Sequence, residues 1–73
     1  MADMKVKKAL IRGFDSMDYR AVVQLAGSQK VYLEDIAVSR SIPAVEMVNG
    51  RKAAVIFFDE HNPKEAVVIA VYV

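Results

Sequence analysis

Asp59, Glu60 and His61 follow one another, setting the chain's one histidine beside two carboxylates. Imidazole and carboxylate are both metal ligands. Consecutive residues rarely converge on one ion, however, so this cluster reads as a solvated turn and not as a metal site. Ser16, Ser28, Ser39 and Ser41 are candidate hydroxyl nucleophiles. A single histidine would have to activate any of them, and none lies in a nucleophile-elbow context. The absence of cysteine removes thiol nucleophiles, thiolate metal sites and disulfides together. Gly27 and Gly50 stand alone, so no glycine-rich loop cradles a phosphate. Paired carboxylates need a cleft between them, and 73 residues leave little room for one. The expectation is a protein that is not an enzyme, with no catalytic residue, metal or cofactor.

Basic and aromatic residues offer a different chemistry. Arg12, Arg20, Lys30 and Tyr32, with Tyr19, are the side chains from which a single-strand nucleic-acid or oligosaccharide face would be built, by charge and stacking. Against it, the net charge is only +1 and aromatics make up 8% of the chain, without tryptophan. Tyr19 also shares its phase with Ala21, Val23 and Leu25, which makes it core or core rim. Nucleic acid is therefore disfavoured as a partner. Lys5, Lys7, Lys8 and Arg12 crowd the first twelve residues against Asp3 alone, a pattern that suits a lysine-guarded edge strand better than a binding patch.

The elements that must position these residues are short strands. Met4–Arg12 alternates at Met4 and Val6 and then drifts, with an irregularity expected near Lys7-Lys8. A turn follows at Gly13–Asp18. Tyr19–Leu25 has the clearest period of two in the chain. Lys30–Val38 begins with Val31 and Leu33 and then changes phase to Ile36 and Val38; a β-bulge at Glu34-Asp35 would cause this, as would a turn there. Ser39–Gly50 is irregular, with Pro43 opening one helical turn over Val45–Val48 or, alternatively, an extended stretch ending in a tight Asn49-Gly50 turn. Ala53–Phe58 and Ala66–Val73 are two apolar runs joined by a polar, proline-containing turn, and they read as a hairpin.

Five strands in an antiparallel meander, one of them bulged, fit a small OB-like barrel with a single short helical turn before strand 4. Residues 1–73 form one domain. An apolar fraction of 55% is high for so small a core, which leaves apolar surface to be covered by a partner. Partners are expected to be proteins, a second copy of the chain among them. Ile42, Val45 and Met47 in the irregular insert are the candidate contact residues, unless they plug one end of the barrel. The N-terminus lacks the apolar core of a signal peptide, and the longest apolar run is far short of the roughly 20 residues that cross a bilayer.

The order of segments resembles a known family. Tyr19–Leu25 is followed by Val31-Tyr32-Leu33-Glu34-Asp35-Ile36-Ala37-Val38. After the irregular link, Gly50-Arg51-Lys52-Ala53-Ala54-Val55-Ile56-Phe57-Phe58-Asp59 precedes Ala66-Val67-Val68-Ile69-Ala70-Val71-Tyr72. This is similar to the OB-fold module of phage baseplate spike proteins, the baseplate assembly protein V type, and of their contractile-injection relatives. Ala70 stands where that family usually has glycine, and the family's C-terminal needle does not follow. The resemblance implies a standalone OB-like module of prophage or phage-tail origin, structural or adaptor in role. It would be cytoplasmic in a bacterium or virion-associated.

Overall fold

Valine, isoleucine and alanine at every second position make strands whose one face is driven from water, and here five such strands close on themselves. The structure, a computed structural model, describes residues 4–27, 31–59, 62 and 64–73. The strands are β1 (Lys5–Asp15), β2 (Arg20–Leu25), β3 (Tyr32–Val38), β4 (Lys52–Phe57) and β5 (Ala66–Tyr72). One 3₁₀ turn, Ala44–Glu46, precedes β4. The strands form a closed barrel in the order β1-β2-β3-β5-β4, with β4 returning to β1. The all-β, closed five-stranded barrel expected from the sequence is therefore present, with its helical turn in the expected link.

The neighbours differ from a meander. β5 is inserted between β3 and β4 and runs parallel to β3, pairing through Ala37 with Val67 and Val38 with Val68. Local turn chemistry predicts only consecutive pairs. The long insert between β3 and β4 instead carries the chain across the barrel end to pair β4 with β1, which leaves β5 to fill the gap. β4 and β5 do form the expected antiparallel hairpin.

Three ladders shift register, and each shift resets which side chains face inward. In the β2–β3 ladder, Val23 opposes Leu33 and Ala21 opposes Ile36, so Glu34 and Asp35 together face Val22. That is the bulge anticipated from the change of phase, and Asp35 takes a φ of 59° within it. In β1 the extra residue is Arg12, between Ile11 and Gly13, and not Lys7 or Lys8. In β5 it is Ile69.

β1 inverts the simplest reading of its alternation. Lys5, Lys7, Ala9 and Ile11 oppose or neighbour the buried Phe57, Val55 and Ala53, whereas Met4 and Val6 turn outward. Lys5 and Lys7 tolerate the inner side because β1 overshoots the core there and has only β4 beside it. The ammonium of Lys7 lies 5.6 Å from the centre of the Phe57 ring, covering it while staying wet.

The core joins Ala9, Ile11, Val23, Ile36, Val55 and Val68 at the barrel centre, with Ile42 and Met47 from the insert at one end. Pro43, with φ −60°, leads into the 3₁₀ turn, and Met47 N–H donates to the Ala44 carbonyl at 3.1 Å. The far end of the insert is docked on β1: Gly50 N–H donates to the Ile11 carbonyl at 2.6 Å, and Ile11 N–H donates to the Arg51 carbonyl at 2.9 Å. Gly50 has a φ of 91°, a left-handed turn suited to glycine. Arg51 also holds Glu46 at 3.3 Å, tying the turn to the start of β4.

Candidate functional site

β4 and β5 are apolar on both faces, and only one face of each is needed for the core. Ala53, Val55 and Phe57 of β4 point in, leaving Lys52, Ala54 and Ile56 outside. In β5, Ala66 and Val68 point in and Val67 points out. The bulge then turns both Ile69 and Ala70 outward. The register aligns these side chains in rows. Val6, Ile56, Val67 and Ala37 stand side by side across four strands. The next row along is Lys8, Ala54 and Ala70, and the one after is Leu10, Lys52 and Tyr72. Val6 is 61% exposed and Ile69 43%, with Met4 and Phe58 exposed at the near end. The result is an apolar patch on the outside of the barrel, made by the Val6 row and the Met4 and Phe58 end beside it and bordered by Lys8 and Lys52 in the rows beyond.

Four strands spaced about 4.8 Å apart, taken over the Val6 row and the Met4 and Phe58 end beside it, give this patch a footprint on the order of 300 Å². That is within the range of functional patches on monomers and below the roughly 800 Å² per partner of a standard interface. A partner seated on it must reach the neighbouring rows as well.

The insert divides the contact candidates. Val45 is exposed at 82%, but Ile42 and Met47 retain only 6% and 7% exposure. These two fill the barrel end, which is the plugging alternative for that pair. Tyr19 holds Ile42 in place. Its hydroxyl donates to the Ile42 carbonyl at 2.7 Å, its ring meets Phe14 edge-on at 5.1 Å, and the Arg40 guanidinium lies over it at 5.1 Å. Tyr19 is thus core rim, as its phase implies, although it precedes β2 with a φ of 53°. Replacing Tyr19 with Phe removes one partly buried hydrogen bond. The expected cost is about 1 kcal/mol, or roughly 4–8 °C in Tm for a domain of this size, readable by thermal denaturation.

The basic and aromatic candidates do not converge. Arg12 and Tyr32 lie near each other on the outer face, on either side of Gln24. Arg12 Nε donates to Gln24 Oε1 at 2.8 Å, and Tyr32, 50% exposed, pairs across from Gln24. Arg20 is four residues from Gln24 along β2, roughly 13 Å away. It is engaged with Asp35, donating to the carbonyl at 3.1 Å and lying 3.9 Å from the carboxylate. Lys30 lies outside the described residues, as do Glu60 and His61. Among the described residues, no three of His, Asp and Glu gather as metal ligands. No helix among them is long and apolar enough to cross a membrane.

Val6, Ile56, Val67 and Ile69 were not among the contact candidates read from the sequence. The signal was there: a strand apolar in both phases has a second face to cover. No protein-family model matches the chain, and no curated protein or solved structure is significantly similar to it.

Proposed function

We propose that this barrel is a non-enzymatic structural or adaptor module that works by protein contact through the outer face of β1, β4 and β5. The observation that carries this is the row Val6–Ile56–Val67–Ala37, four outward apolar side chains in register. Covering such a row releases about 25 cal/mol per Å² of apolar surface, and Val6 stands exposed while Ile56, Val67 and Ala37 remain half-buried. The resemblance of the strand motifs to baseplate spike modules suggests the setting: a phage-tail or prophage component, cytoplasmic in a bacterium or virion-associated. Val45, exposed on the insert, is a secondary contact point.

A second reading, a single-strand nucleic-acid or oligosaccharide module, draws on exposed Tyr32 beside Arg12. It is the weaker of the two, because Arg12 and Arg20 already spend donors on Gln24 and Asp35.

Ile56→Glu tests the first reading. The substitution places a charge at the centre of the row while the inward side chains of β4 stay as they are. In sedimentation velocity across concentrations, and in co-purification with the products of adjacent genes, the wild type is expected to associate. The variant should remain monomeric with an unchanged circular dichroism spectrum. A wild type that is monomeric at every concentration and captures no such product overturns the reading. So does retention of single strands on a filter at low salt.

A further inference from the structure

Beyond the apolar rows the same face changes character. Lys8 and Lys52 stand diagonally across β1 and β4, with Leu10 opposite Lys52 and Tyr72 on the other side of it. Together with Ala26 and Gly27 they line a concavity of about 350 Å³. Its floor is aliphatic and aromatic, and its only charges are two ammonium groups. Among the described residues neither lysine has an ion-pair partner.

We propose that this concavity receives an acidic, apolar segment of a protein partner, with carboxylates set on Lys8 and Lys52 and an aliphatic side chain on Leu10 and the Tyr72 ring. This deepens the protein-contact reading and rests on it. Two observations favour that occupant. The first is charge: paired cations over an apolar floor match a chain in which carboxylates alternate with aliphatic residues. The second is continuity. The apolar row alone is smaller than a standard interface, and the lysine-bordered concavity is the next surface along the same strands. A second copy fits less well, because β4 and β5 themselves carry no carboxylate, and Glu65, just before β5, lies at the opposite end from Lys52.

The test is a titration of the isotope-labelled full chain, followed by amide chemical shifts. The probes are a capped hexapeptide of alternating leucine and glutamate, its leucine–glutamine counterpart, and an oligothymidylate. The expected result is shifts centred on Lys8, Leu10, Gly27, Lys52 and Tyr72 with the glutamate peptide, weakening as salt is raised. Lys8→Glu/Lys52→Glu, exposed positions that leave the core untouched, should weaken this binding about tenfold, the factor expected from two exposed ion pairs. Several outcomes overturn the proposal. These are no localised shift at millimolar peptide, equal binding of the glutamine peptide, or a response to oligothymidylate alone. Shifts at the same amides on raising protein concentration without any peptide also overturn it, in favour of a second copy. If the titration fails while association still depends on Ile56, the concavity is wrong and the protein-contact reading stands.

Discussion

Met47→Glu is expected to unfold the domain at neutral pH. Met47 is 7% exposed at the barrel end, where it packs with the core beside Ile42. The substitution forfeits the burial of the methionine side chain, about 1.5–3 kcal/mol, and desolvates a carboxylate at the barrel end while Arg51, the cation beside it, is already held by Glu46. A domain of this length has a total stability of roughly 4–11 kcal/mol, so the combined loss takes most or all of it. Val45→Glu is the matched control. Two positions earlier, on the same 3₁₀ turn, it is 82% exposed and should change stability by no more than about 0.5 kcal/mol. Circular dichroism melts of the two variants decide the matter. A Met47→Glu protein that melts like the wild type would show that the insert does not seal the barrel.

Ile11→Ala carries the second large effect. Ile11 is 0% exposed, and its own N–H and carbonyl anchor Arg51 and Gly50 at the end of the insert. Truncation at such a site costs about 2–5 kcal/mol, with the spread set by how far the surroundings collapse into the cavity. In urea this should appear as a lower midpoint with an unchanged slope. Val6→Ala on the same strand removes a comparable apolar side chain from the outer face, where 61% of Val6 is exposed. It is expected to be nearly neutral. Comparable losses at both positions would mean that the inward phase of β1 is misassigned.

That contrast also shows where the sequence was readable. β2 was legible because its apolar residues alternate cleanly, and the bulge at Glu34-Asp35 was legible because the apolar phase changes across it. β1 was not. The lysines at 5 and 7 occupy the inner side beyond the end of the core, so the polar residues mark the wrong face. The pairing of β5 with β3 was equally hidden, since turn chemistry reports only neighbours in sequence. The site was half visible. Two apolar runs announced surplus apolar surface, but which side chains form it depends on the register of β4 against β1 and β5. In the insert, residue type alone could not separate exposed Val45 from buried Ile42 and Met47. Their difference arises from the 3₁₀ turn and the Tyr19 hydrogen bond.

The meeting of β3 and β5 governs how the molecule opens. Every other line of the cylinder is joined over at least four residue pairs, whereas this one has two. The barrel is therefore a cuff with a clasp. With the clasp undone, the β4–β5 hairpin still hangs from one side of β1, and β2–β3 from the other. With the fewest pairs, the clasp is expected to be the first line of the cylinder to open, read as the least protected strand amides in hydrogen exchange.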